Sequence, residues 1–307
     1  MINKLRKEIA IVLFKLASVV KKNPVLNKVL RTAGFGLLYD KFIAYYAENS
    51  KDVCFEADIN GTKIKIIDGS YRLEYYRRNL SGITYEPAFA STLKNLLNEI
   101  TSPTFVDIGA HIGYFTVYAG NLLGKRGRVI SIEPNEYYYG FLSRNVEFNG
   151  LRDNVQTFQI ALSNKSGKAN TGGEEGRDSI ESDSGDIEVM TLDKLCEIKK
   201  IKPDIIKIDV HGAEYKVLTG MPNILYNCVN HLFIEVHPVH FLQGYNIKDI
   251  IDLFDTKKFE LLELIGTWRI NDWMIKGGED EGKIVPISED FLNPDEHKML
   301  YARRRFI

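Results

Sequence analysis

The dozen residues from Phe105 to Thr116, FVDIGAHIGYFT, constrain the fold more than any other stretch. An apolar run reaches Asp107, turns on Gly109 and Gly113, and enters a helix-forming segment. That order builds a small-molecule pocket, because Gly109 takes backbone angles closed to other residues and Gly113 lets a ligand approach the first helical turn. The unpaired N–H groups of that turn, helped by the helix dipole, favour a carboxylate or phosphate. Downstream, Gly127 to Glu133 reads GRVISIE, a second apolar strand whose terminal acid is followed by Pro134. About twenty residues after a first βα turn, an acid in this position holds the ribose diol of a bound nucleoside. A nucleoside-containing cofactor follows.

Spacing decides which one. A dinucleotide site wants G-x-G-x-x-G so that backbone can approach a pyrophosphate. Gly109 to Gly113 instead reads G-A-H-I-G, with no third glycine. An NAD-linked oxidoreductase is thereby weakened but kept as an alternative. An acid two residues before G-x-x-x-G, with a second acid at the next strand end, resembles motif I and its partner in the S-adenosylmethionine (SAM) dependent methyltransferases. The resemblance implies that Asp107 orients the donor's ammonium and that the backbone of Gly109, Ala110, His111, Gly113 and Tyr114 faces its carboxylate. Glu133, beside Pro134, would hold the ribose hydroxyls. The His111 ring faces cofactor or solvent, or packs. Tyr137, Tyr138 and Tyr139 press on adenine or pack a helix start.

With 307 residues and 44% apolar content, the chain can bury one large core. A formal net charge of -1 offers no global basic field for nucleic acid. Charge is uneven, however: residues 1–31 carry eight basic side chains against Glu8, around an apolar run from Ile9 to Val20. That run is too short to span a bilayer. It suits a helix docked on the domain, the preferred reading, or a peripheral contact of residues 1–31 with the inner membrane face. Cys54, Cys196 and Cys228 are odd in number and form no C-x-x-C pair, which fits reduced thiols in a cytoplasmic compartment.

The expected organisation is a helical segment over 1–50 followed by a catalytic domain over 51–307. The domain opens with a hairpin turning at Asn60-Gly61. Helical spacing over 87–100 puts Phe89, Leu93, Leu96 and Leu97 on one face. Strands are expected near 104–108, 128–132, 155–161, 204–210, 230–236 and 259–265, with a C-terminal strand around 298–303. Helical patterns lie between most of them. That alternation predicts an α/β fold, a Rossmann-like, doubly wound, parallel sheet of seven strands. Residues 163–188 read as a polar loop, and 267–294, containing Trp268 and Trp273, as a second irregular stretch.

YEP at 85–87, FVDIGAHIGYFT, SIEP at 131–134, ALSNKSG at 161–167, DIIKIDVHGAEYKVLTGM at 204–221 and FIEVH at 233–237 together resemble the FkbM-type methyltransferases. The resemblance covers residues 55–265 and implies a SAM domain that methylates a hydroxyl oxygen, commonly of a sugar or glycan. Where the family usually shows D-V-E-G, this chain has Asp209-Val210-His211-Gly212. His211 is the first candidate base, since imidazole changes charge near neutrality; the alternative is that it replaces a structural acid at a helix start. His237 is the second candidate base, with Glu235 orienting it or binding the acceptor. Asp209 and Glu214 would shape the acceptor side, or Glu214 would cap its helix. Asp209, His211, Glu235 and His237 also make a conceivable divalent-metal set, although their spacing matches no known ligand motif and no metal is expected. His231, His240 and His297 read as ordinary surface or loop residues. A non-catalytic nucleoside-binding module tethered to membrane or partner is the third alternative.

Overall fold

The computed structural model describes residues 53–69, 75, 79, 84–170, 185–238, 241, 242, 244–266, 282–293, 295 and 297–305. The chain divides into two compact units, residues 1–55 with 67–85, and residues 56–66 with 86–307. The strand-end chemistry lies in the second. The helical segment expected over 1–50, the boundary after residue 50, both tryptophans and His240 fall outside the described residues.

Asn60 and Gly61 join β1 (Val53–Ile59) to β2 (Thr62–Asp68) with φ of 51° and 81°, the left-handed pair that a two-residue hairpin turn requires. Helix α1 (Pro87–Glu99) starts on a proline and buries Phe89, Leu93, Leu96 and Leu97, the face its spacing predicts. Then follow β3 (Thr104–Ile108), α2 (Tyr114–Leu123), β4 (Arg128–Ile132), α3 (Glu136–Phe148), β5 (Val155–Phe158), β6 (Ala161–Leu162), β7 (Gly167–Ala169) and β8 (Ile187–Met190). The chain continues through α4 (Leu192–Lys199), β9 (Ile205–Ile208), α5 (Glu214–Thr219), α6 (Pro222–Asn227), β10 (His231–Val236), α7 (Ile247–Ile251), β11 (Phe259–Ile265), β12 (Lys283–Pro286) and β13 (Lys298–Arg304).

The main sheet runs β12-β11-β13-β10-β9-β3-β4-β5. Strands β5, β4, β3, β9 and β10 are parallel, whereas β13 inserts antiparallel between β10 and β11. Three expectations are corrected here. The sheet is mixed rather than wholly parallel, and β12 adds an eighth strand inside a stretch read as irregular. The strand expected over 155–161 stops at Phe158, and β6 leaves to form a small sheet with β8 and β7 at the two ends of the polar loop.

Strand order reverses at β3, which has β4 on one side and β9 on the other. Register then fixes what converges there: Ser131, Asp107, Lys207, Phe233 and Tyr301 stand in one row across the sheet. The row is polar in its middle and aromatic at one end, where the Phe233 and Tyr301 rings stack at 4.4 Å. The opposite face is apolar, with Val106, Ile108, Ile206, Ile208 and Ile234 in the core cluster.

Gly109 closes the turn after β3 at φ 80°, and a Cβ there would stand 1.7 Å from the Asp209 carbonyl oxygen. Gly109→Ala is therefore expected to destabilise the protein by about 2 kcal/mol or more. Chemical denaturation measures this, and an unchanged midpoint would contradict so tight a packing of turn against β9.

Candidate active site

Strand β3 delivers Asp107, 2% exposed, to the base of the glycine turn. Its Oδ2 accepts a 2.7 Å hydrogen bond from Thr116 Oγ1, which lies 2.8 Å from Ser131 Oγ, and the Thr116 N–H also bonds the carboxylate. Burial raises its pKa against the opposing pull of Lys207 and Thr116. Asp107 thus ties β3 to the start of α2.

The glycine turn is tied to the end of β4. The N–H groups of Gly109 and Ala110 both donate to the Ile132 carbonyl, at 2.9 and 3.0 Å. At Gly113 a Cβ would meet Leu142 Cδ1 at 2.6 Å, so this glycine makes room for α3. Helix α2 begins at Tyr114 beside this turn, where the helix dipole favours an anion, and the Thr116 amide of its first turn already bonds Asp107.

Glu133 follows β4 directly, and its carboxylate accepts from His111 N at 2.8 Å and Asn135 N at 2.9 Å. It joins the turn to α3, with Pro134 half-buried beside it. Burial pushes its pKa up to about 7, against the lowering effect of those two amides. His111 takes φ 51°, and its ring lies 3.9 Å from that of Tyr138. Burial, reinforced by the nearby His211, brings its pKa down to about 3. Tyr138 therefore packs the turn, while Tyr137 is exposed against Phe141. These groups fit an S-adenosyl ligand by their donor chemistry: helix-start amides for a carboxylate, and a strand-end carboxylate for a diol.

Across the turn, β9 and β10 bring four of the expected residues together. Lys207 and Asp209 pair at 2.7 Å, and both are largely buried. Burial opposes the charges, but their proximity overrides it: the Lys207 ammonium is held well above its ordinary range and the Asp209 carboxylate well below. His237, 1% exposed, has Nδ1 2.8 Å from Glu214 Oε1 and Nε2 3.4 Å from Glu235 Oε1 and 3.9 Å from Asp209 Oδ1. Burial resists its charge, yet the Glu214 contact and Asp209 raise its pKa. Burial with Asp209 and Glu86 drives Glu235 far upward.

Glu214 is fully buried. Beyond His237 it accepts from the Gly212 N–H at 3.0 Å, and Tyr245 Oη is 2.8 Å from its Oε2. Burial raises its pKa, but these bonds, His237 first, bring it below the ordinary value. His211 stands at the open edge with φ 49°, its ring 4.7 Å from that of His237. Desolvation by the surrounding walls, with His237 and Lys207, lowers its pKa despite Asp209. Left-handed backbone at a non-glycine residue is strain of about 1–3 kcal/mol, and it collects where function over-determines geometry.

Sequence reasoning missed four members. Glu86 at the head of α1 lies near Asp209 and Glu235. Lys207 interrupts an apolar strand, a signal that was readable. Tyr245 holds Glu214. His297, read as a surface residue, instead places Nδ1 3.3 Å from Glu235 Oε1 and its ring 4.9 Å from that of His237. His231 is also more than a surface residue, with Nδ1 2.7 Å from Tyr301 Oη.

The family described as "Methyltransferase FkbM domain" matches residues 107–261. Methyltransferase sdnD of Sordaria araneosa is 26% identical over 204 residues, covering 53% of this chain and 78% of that protein. Hexuronic acid methyltransferase AglP of Haloferax volcanii is 28% identical over 159 residues, covering 50% of this chain and 61% of AglP. A solved methyltransferase FkbM from Methylobacillus flagellatus aligns with a TM-score of 0.44 at 15% identity, over 76% of this chain and 53% of that one.

A diol donating to Glu133 requires the ionised carboxylate, whose pKa of about 7 lies above the ordinary 4.5. S-Adenosylhomocysteine affinity is therefore expected to rise with pH and level off above 7, weakening about tenfold between pH 8 and pH 6. Calorimetry across that range checks it. Glu133→Gln should flatten the slope, and a slope that survives the substitution would remove Glu133 from the diol.

Proposed function

Because the chain belongs to the FkbM family of SAM-dependent methyltransferases, we propose that it methylates a hydroxyl oxygen of a sugar, in a glycan or a related small molecule. One observation carries this reading: Asp209, His211, Glu235 and His237 converge beside the glycine turn where strand order reverses, the place at which open α/β sheets bind ligands. The printed name of AglP, a hexuronic acid methyltransferase, supports a sugar acceptor. The same cluster weighs against a non-catalytic module, and family membership replaces the NAD-linked alternative.

The donor, held by the first turn of α2 and by Glu133, supplies an electrophilic methyl on a sulfonium. The protein's main task is to align the acceptor with it, worth up to about 7–11 kcal/mol in near-attack geometry. An alcohol oxygen is a weak nucleophile, so its proton needs a destination. His211 is the group placed to receive it: its ring is at the open edge of the cluster, while His237 is enclosed and anchored on Glu214. Asp209 is close enough to stabilise the imidazolium that results. Glu214 and Tyr245 act from behind, fixing His237 and the Gly212 backbone. Peripheral membrane contact through residues 1–31 remains part of the reading, and no helix among the described residues is long and apolar enough to cross a membrane.

Transfer of a labelled methyl group from SAM to a panel of sugars, uronic acids and glycan extracts tests the acceptor. His211→Ala is expected to lower turnover by about 100-fold or more while leaving S-adenosylhomocysteine affinity within about twofold. Equal turnover would end the base assignment, and label appearing only on nitrogen or sulfur would end the hydroxyl assignment.

A further inference from the structure

The cluster contains more donor atoms than protons can satisfy. His237 Nδ1 is committed to Glu214 Oε1 at 2.8 Å, which turns Nε2 toward Glu235 and Asp209. Among the described residues, His237 Nε2, Glu235 Oε2 and Asp209 Oδ1 are buried and meet no hydrogen-bond partner by geometry. Two of these belong to side chains at least 98% buried, Glu235 and His237. The other Asp209 oxygen is occupied by Lys207. The carboxylates of Glu235 and Asp209 face each other, an arrangement that requires a proton or a cation between them.

We propose that His237 Nε2, Asp209 Oδ1, Glu235 and His297 Nδ1 bind a divalent transition-metal cation at the end of β9 and β10. Three overlapping triads support it, each with donor atoms within 4.8 Å of one another: Asp209-His211-His237, Glu235-His237-His297 and Glu86-Asp209-Glu235. A metal about 2.0–2.2 Å from nitrogen and oxygen donors holds them roughly 3.0–3.5 Å apart. His237 Nε2 to Glu235 Oε1 is 3.4 Å and His297 Nδ1 to Glu235 Oε1 is 3.3 Å, within that range, while 3.9 Å to Asp209 Oδ1 needs a small side-chain shift.

Carboxylate, imidazole and metal in sequence is the second sphere that metal-bound histidines use, with Glu214 fixing the tautomer that presents Nε2. Mixed imidazole and carboxylate donors suit manganese, iron, cobalt or zinc better than calcium or magnesium, which prefer oxygen alone. Charge agrees as well. Glu86, Asp107, Asp209 and Glu235 surround one ammonium, Lys207, and a dication would offset the surplus. His211 stays at the open edge, where it is free to serve the acceptor.

The test is titration of the chelator-stripped full chain with Mn²⁺, Co²⁺ and Zn²⁺ alone, by calorimetry and by Co²⁺ absorption. One saturable site per chain is expected, weakened at least about tenfold in Glu235→Gln and His237→Gln, with His231→Ala unchanged. Should those buried variants fail to fold, His297→Ala, on a half-exposed side chain, must still shift the Co²⁺ bands. No saturable binding of any of the three ions, or binding indifferent to the ligand variants, overturns the proposal. Neither donor nor acceptor is present in this titration, so its failure leaves the methyl-transfer reading intact, and failure of methyl transfer leaves the metal site intact.

Discussion

The arrangement at the strand ends depends on a buried ammonium. Lys207 lies in the middle of the sheet, 3% exposed, between Asp107 on β3 and Asp209 two residues ahead of it, with Phe89 and Phe115 rings at 5.8 and 5.5 Å. Burying a charge without a partner costs several kcal/mol, and losing one member of a buried pair typically costs about 3–5 kcal/mol. The lysine is therefore retained only because carboxylates surround it, and the carboxylates are concentrated only because the lysine is there. That mutual dependence holds Asp209 in its charged form against burial and fixes one of its oxygens, so the other is aimed at His237.

A second constraint is backbone geometry. The turn after β3 packs on the residue that follows β9, where a Cβ at Gly109 would lie 1.7 Å from the Asp209 carbonyl oxygen, and the turn after β9 packs in its own right on the segment after β10, where a Cβ at Gly212 would lie 2.0 Å from the Phe241 carbonyl oxygen. Each turn also holds a histidine in the left-handed region, His111 at φ 51° and His211 at φ 49°. The two turns thus share a feature, an imidazole in strained backbone within two residues of a glycine, and the turn after β3 rests on the Asp209 carbonyl.

Local rules made much of this legible. Strand-end acids after apolar runs identified Asp107, Glu133 and Asp209, and the Asn60-Gly61 pair identified the hairpin, because each signal lies within a few residues of its effect. What was hidden depends on distance along the chain. His297 meets Glu235 across 62 residues and Tyr245 meets Glu214 across 31, and no spacing rule connects them. The antiparallel insertion of β13 between β10 and β11 is likewise a tertiary choice, since a strand's direction leaves no mark in its own residues. Glycines were legible as glycines but not in purpose: Gly113 makes room for Leu142, a reason that exists only once α3 has packed.

The imidazole at position 211 is best understood from charge. Glu86, Asp209, Glu214 and Glu235 already crowd this end of the sheet. Another carboxylate at 211 would face Asp209 and Glu214, and like charges at such range push at least one acid to its neutral form. An imidazole adds no negative charge, and in the base role proposed for it the imidazolium would be stabilised by the acids around it. The imidazole at this position therefore suits the same excess of carboxylates that surrounds His237 Nε2 and Glu235 Oε2, buried atoms that meet no hydrogen-bond partner among the described residues.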